Sequence, residues 1–261
     1  HKNFYVDDLS KSVKSIEEAK VLVKGLMELC ARGGFNLTKW ISNSPEVLEF
    51  IPEADRAPSV KDFQSEESLV ERALGVKYDV KSDRLVFKVA SLTLKVGEDQ
   101  KMTKRQVQSL VHSVYDPLGT LAPIILILKK LAQSYTKYAW DHPIPKEEIA
   151  PFCDWVEKMP LIDQLSVRRW YGSSELGEIE SVQLHTFCDA SEFGYGACAY
   201  LRYCDKEGNI ATALVLGKAR VTPQKSVKGS IPRLELTSAV VAAEVGRFLT
   251  VELEVDLTER I

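Results

Sequence analysis

The most constraining stretch is Val182-Gln183-Leu184-His185-Thr186-Phe187-Cys188-Asp189, an alternating run that ends in a carboxylate. Such a two-residue period is that of a half-buried strand. Ala190-Ser191-Glu192-Phe193-Gly194-Tyr195-Gly196-Ala197 then reads as a tight turn whose glycines let the next strand pack closely. A second strand is expected over 197–203, a polar turn at Asp205-Lys206-Glu207-Gly208-Asn209, and a third strand over 211–219. Successive short turns make this an antiparallel meander. A helix opens near Pro232, carries Leu234-Glu235-Leu236, and continues into an Ala/Val-rich run over 239–245 suited to burial on a sheet. Glu259-Arg260-Ile261 begins another strand.

Two acids in this pattern are candidate ligands. Asp189 ends the first strand and Glu235 sits in a helix otherwise rich in small apolar residues. Carboxylates converging from different elements can hold two divalent cations, one activating water and the other stabilising a leaving oxygen. Plainer roles fit the same residues: Asp189 as an Asx cap of its turn, Glu235 as a helix N-terminal charge or a partner of Arg233 or Lys225. A second acidic pair stands at the start, in Phe4-Tyr5-Val6-Asp7-Asp8-Leu9. An aromatic and a β-branched residue running into adjacent carboxylates is how a strand delivers paired metal ligands at a tight turn. Neighbouring carboxylates repel, so a hard cation such as magnesium or a basic partner suits them. A solvated Asp-Asp turn is the alternative.

Between these ends, Ser15-Ile16-Glu17-Glu18 is a capping box, and Ala19, Leu22, Val23, Leu26 and Leu29 keep helical spacing until Gly33-Gly34. Residues 35–42 read as a strand, Ser44-Pro45 as the start of a short helix, and 55–65 as loop. Two strands around Leu74-Gly75-Val76-Lys77-Tyr78 and Leu85-Val86-Phe87-Lys88-Val89 flank a polar turn at Lys81-Ser82-Asp83. Thr103-Lys104-Arg105-Gln106 opens a helix that Asp116-Pro117-Leu118-Gly119 breaks, and a second helix is expected over 121–138. A short acidic helix lies within 143–160, and a Gly/Ser/Glu-rich linker follows Tyr171.

A net charge of -3 over 261 residues argues against a protein that coats DNA. Local charge differs: residues 101–140 hold six Lys or Arg against the single acid Asp116, and 217–234 hold five against none. Lys129, Lys130, Lys218, Arg220, Lys225 and Lys228 are therefore candidates for tracking a phosphate backbone, with ordinary solvated basic faces as the alternative. Lys129, Lys130 and Lys137 interleave with Tyr135, Tyr138 and Trp140, which suits a nucleic-acid-facing helix and core packing equally. The five cysteines form no C-x-x-C pair and match no common zinc spacing, as expected of a reduced, intracellular, cytoplasmic protein. The longest apolar run, 121–128, contains Pro123 and is too short for a membrane span, so no membrane partner is expected.

Several motifs recur in a fixed order: Phe4-Tyr5-Val6-Asp7-Asp8, then Gly34-Phe35-Asn36-Leu37-Thr38-Lys39-Trp40 with Ser42-Asn43-Ser44, then Ser113-Val114-Tyr115-Asp116-Pro117-Leu118-Gly119 with Ala122-Pro123. Cys188-Asp189-Ala190-Ser191 and Pro232-Arg233-Leu234-Glu235-Leu236 complete the set. Together they resemble the Pol polyprotein of BEL/Pao-type LTR retrotransposons. The resemblance implies an α+β chain: the C-terminal part of a reverse transcriptase palm (1–100), a helical thumb/connection (101–171), a linker (172–181) and a truncated ribonuclease H-like α/β domain (182–261). It implies RNA-directed DNA synthesis and cleavage of RNA in an RNA/DNA hybrid, with magnesium as cofactor and manganese as substitute. Asp7 and Asp8 then belong to the polymerase metal site, Tyr5 and Val6 to the neighbourhood of the primer end, and Asp189 and Glu235 to the nuclease. The implied partners are hybrid and primer-template and the remainder of the Pol polyprotein, in a cytoplasmic retroelement particle.

Two departures bear on activity. A further palm Asp upstream of the hairpin and a third nuclease Asp from the strand after the Glu helix complete such sites in the family. The nearest acid to the second, Asp256, precedes the expected strand. The isolated segment is therefore expected to be inactive, and a non-catalytic nucleic-acid-binding remnant is the competing class. The same region is also filed under a retroelement aspartic peptidase family, but that chemistry needs an Asp-Thr/Ser-Gly turn, which the chain lacks.

Overall fold

The computed structural model describes residues 4–5, 8–60, 70–73, 76–89, 101–172, 175–224 and 230–261. The chain divides into two units, His1–Phe87 with Gln164–Arg169, and Lys88–Asp163 with Trp170–Ile261.

In the first unit, β1 (Phe4–Tyr5) pairs antiparallel with β2 (Asp8–Leu9), with Tyr5 opposite Asp8. Helix α1 (Ile16–Arg32) starts where the Ser15 hydroxyl accepts the Glu18 N–H. The Glu18 carboxylate turns back to the N–H of Lys14, one residue before the cap, so the expected box closes a residue wide. Proline at the first position begins α2 (Pro45–Phe50). Val23 packs with Val47 and Ile51 against a half-buried Trp40.

The strand expected over 35–42 does not form. Lys39 takes a left-handed φ of 59°, which breaks an extended path, and only Trp40 pairs, in an isolated bridge with Arg56. A sheet of β3 (Val70–Ala73), β4 (Val76–Asp79), β5 (Arg84–Val86) and β6 (Ser166–Arg168) is antiparallel throughout, in that order. Asp83, at φ 52°, makes the expected turn between β4 and β5. Its carboxylate accepts two bonds from the Arg169 guanidinium, at 2.6 and 2.9 Å, and one from the Tyr78 hydroxyl at 2.6 Å.

The second unit opens with α3 (Lys104–Ser113), where both arms of the Thr103/Gln106 capping box are made. The Asp116 carboxylate accepts the N–H groups of Thr120 and Leu121 at 3.0 and 2.7 Å and so starts α4 (Ala122–Ser134). Burial pushes the Asp116 carboxyl above its ordinary range despite these bonds. The expected long helix tightens to a 3-10 turn at Tyr135–Lys137, and α5 (Lys146–Lys158) follows. Tyr135 is buried edge-on against Phe152, and its hydroxyl bonds the Glu148 carbonyl. That aromatic is core, not a nucleic-acid-facing ring.

The meander is present as β7 (Ile179–Ala190), β8 (Gly194–Asp205) and β9 (Ile210–Val221), and β10 (Glu259–Arg260) pairs parallel with β7. Sheet order is β10-β7-β8-β9. One face is covered by α6 (Ile231–Glu252), whose Val241, Ala242, Val245 and Leu249 share a core with Leu184, Ala199 and Leu201. Helix α4 packs against β9. Among the described residues, no helix is long and apolar enough to cross a membrane.

Candidate active site

Strand β7 carries Asp189 to the hairpin that leads into β8. The register sets Asp189 opposite Gly196, with Ala190 opposite Tyr195. Ser191 closes the turn: its N–H bonds the Gly194 carbonyl, and its hydroxyl accepts the N–H of Phe193 and of Gly194. Asp189 is exposed, and one carboxylate oxygen accepts the neighbouring Ala190 N–H at 2.8 Å. This bond orients the side chain while leaving it open to solvent.

Glu235 is exposed in the first part of α6. Three residues later, Ser238 is fully buried, and its hydroxyl lies 2.7 Å from the Asp189 carbonyl and 2.6 Å from the Gly196 carbonyl. A single hydroxyl proton shared between two carbonyls ties the helix to both strands at the level of Asp189. Residues three apart are neighbours on a helix, so the anchor holds the Glu235 turn at the Asp189 end of the sheet. Nothing in the sequence marked Ser238 as part of the site; the available signal was a polar residue one turn after Glu235 at the edge of an apolar run.

On the far side of the hairpin, buried Thr222 bonds its hydroxyl to the Ser191 carbonyl at 3.0 Å and its N–H to the Phe193 carbonyl. The Gln133 amide of α4 donates to the Thr222 carbonyl at 2.9 Å. The loop bearing Asp189 is thereby held by α6 on one side and by β9 and α4 on the other. Exposed carboxylates from a strand end and a helix are hard oxygen donors, the donor chemistry that fits magnesium. Among the described residues, no group of three or more His, Cys, Asp and Glu side chains could hold a metal ion.

This arrangement is a three-stranded meander, a helix carrying an acid, and a parallel strand beside the first. A family model for the Pao retrotransposon-like RNaseH-like domain matches residues 103–261. The chain belongs to this family. No curated protein matches it. The match starts at Thr103, the cap of α3, so the Pao RNaseH-like domain takes in α3, α4 and α5 as well as the sheet.

Of the other acids expected at metal sites, Asp8 is exposed on β2, and Asp7 lies outside the described residues, as do Val6, Lys225 and Lys228. Tyr5 lies on β1 opposite Asp8. The basic residues of the domain diverge. Lys130 is half-buried, with its ammonium 5.5 Å from the Phe193 ring centre and bonded to the Gln133 side chain at 3.2 Å. Lys218 and Arg220 are exposed two residues apart on β9. Lys129 and Arg220 line one groove between α3, α4 and β9. Trp140 lies under the cations of Lys104 and Arg105, at 4.6 and 5.7 Å.

Proposed function

We propose that this Pao RNaseH-like domain cleaves the RNA strand of an RNA/DNA hybrid as part of a retrotransposon Pol protein. The observation that carries this reading is the Ser238 anchor, which fastens the Glu235 helix to the backbone of Asp189. Asp189 and Glu235 would hold magnesium ions, which when bound supply an activated water and stabilise the leaving 3′ oxygen. The chain's own part is orientation: Ala190 fixes one oxygen of Asp189, and Ser238 fixes the helix that presents Glu235. Strand β10 runs parallel to β7 with Arg260 opposite Leu184, so it points toward the Asp189 end of the sheet, the direction from which the family's third acid is expected.

The reading extends to the N-terminal hairpin. In the full Pol chain, Asp7 and Asp8 would serve the polymerase metal site and Tyr5 and Val6 the primer end, with the Tyr5–Asp8 strand pairing in support. The test of the nuclease uses that full chain. Asp189→Asn or Glu235→Gln should abolish hybrid cleavage in magnesium and in manganese while hybrid binding persists. Undiminished cleavage by either variant refutes the assignment.

A further inference from the structure

We infer that the groove between α3, α4 and the β9 edge is a phosphodiester-binding subsite that holds one strand of a nucleic-acid duplex beside the active site. It is an open groove of about 380 Å³, and its polar lining is Gln108, His112, Lys129, Gln133, Thr136 and Arg220. Among the described residues, no acid lines it, although the chain as a whole is negative.

What sets the groove apart is that it gathers two cations, Lys129 and Arg220, from different elements. Several exposed cations of the domain are paired with acids: Arg105 with Asp141, Lys137 with Glu148, Lys206 with Glu178. Among the described residues, neither Lys129 nor Arg220 has an acid as an ion-pair partner. Lys129 acts on the Asp116 carboxylate only through space, and the two Asp116 oxygens accept the Thr120 and Leu121 N–H groups. Two cations brought together from a helix and a strand, with polar side chains sharing the lining, suit an anion with many acceptor oxygens.

Register gives the spacing. Arg220 is opposite Tyr195, and Tyr195 is opposite Ala190, the residue after Asp189. Two interstrand steps of about 4.8 Å put the Arg220 backbone roughly 10 Å from that of Ala190. With the duplex axis along this direction, an axial rise of about 3.4 Å per nucleotide makes the separation about three steps, so a backbone with one phosphate at Asp189 would present another to the groove a few nucleotides away. Lys218, two residues along β9, prolongs the cationic edge.

The inference rests on the hydrolase reading for which duplex is bound, but its test reads binding alone. In the full chain carrying Asp189→Asn, anisotropy of a labelled RNA/DNA hybrid is titrated at several salt concentrations. Lys129→Glu with Arg220→Glu should weaken binding at least about tenfold at 0.1 M salt and make the log-log salt slope shallower by about 1.8, at 0.9 per lost phosphate contact. Lys24→Glu with Arg32→Glu, an equal charge change on exposed positions of α1, should alter neither by more than about twofold. The neutral pair Lys129→Gln with Arg220→Gln should show the same slope change, with an unaltered melting temperature. Unchanged affinity and slope in the groove variants, or an equal loss in the α1 control, overturns the subsite. If the native chain fails to cleave yet the groove variants lose binding, the nuclease reading falls and the subsite stands. Cleavage abolished by Asp189→Asn, with groove variants binding normally, gives the reverse.

Discussion

Ser238 shows how one buried hydroxyl can control a site it does not belong to chemically. Removing it strips the donor from two carbonyls at the Asp189 end of the sheet. An unsatisfied buried polar group costs about 1–3 kcal/mol, and a domain of this size loses roughly 2–4 °C per kcal/mol. Ser238→Ala should therefore lower the melting temperature by several degrees in a thermal denaturation scan. It should also reduce hybrid cleavage more than hybrid binding, because Glu235 loses its positioning. A second residue-scale case is Asp83. Burial raises its carboxyl, but the Arg169 fork and the Tyr78 hydroxyl outweigh it and hold the group below the ordinary carboxylate range. A depressed folded value means the stabilisation is present above the unfolded value near 4 and is lost as pH falls through the folded one. Urea midpoints measured from pH 7 down to pH 3 should fall at the acid end, and Asp83→Asn should flatten that fall while lowering the midpoint at pH 7.

At the scale of elements, the turn between α3 and α4 is built to meet β9. Gly119 has a φ of +70°, and a side chain there would overlap the Gly217 carbonyl. The Gly217 N–H in turn bonds the Leu118 carbonyl at 2.8 Å. Backbone thus touches backbone across the sheet edge, and Gly119→Ala should cost at least about 1–3 kcal/mol in chemical denaturation from left-handed strain alone. The turn itself was legible, since Asp-Pro-Leu-Gly stops a helix by local chemistry, and so were α1, α3 and the meander, whose patterns and caps lie within a few residues. What stayed hidden was non-local. Strand β6 is three residues long, and its partner Arg84 lies 82 residues earlier than Ser166, so no local pattern reports it. Residues 35–42 carried the composition of a strand, but one left-handed residue decided otherwise. In the site, Asp189 and Glu235 stand out as acids in apolar surroundings, whereas Ser238 reads as another small helix residue. Lys129 and Lys130 are indistinguishable as neighbours in sequence; folding turns one to the groove and the other to the Phe193 ring.

For the whole molecule, the family match and the second unit agree that the helices before the sheet belong with it. The physical reason is the exposed edge. Strand β9 ends the sheet, and an uncovered edge of twelve residues would invite pairing with another chain. Helix α4 and the turn before it pack along the 217–222 end of this edge, with Leu126 against Gly194 of β8, Gln133 bonded to Thr222 and the Gly119 turn against Gly217. A protein of residues 101–261 should therefore melt as one cooperative unit. Residues 175–261, keeping both candidate acids but lacking α3, α4 and α5, lose this cover. Exposing even two buried aliphatic side chains costs about 3–6 kcal/mol, which at roughly 4–8 °C per kcal/mol lowers the melting temperature by more than about 10 °C. The shorter protein should also self-associate in sedimentation experiments and bind hybrid with a shallower salt dependence, because Lys129 is gone. Equal melting temperatures and a monomeric short form would show instead that the sheet and α6 suffice, and that the helices serve the substrate alone.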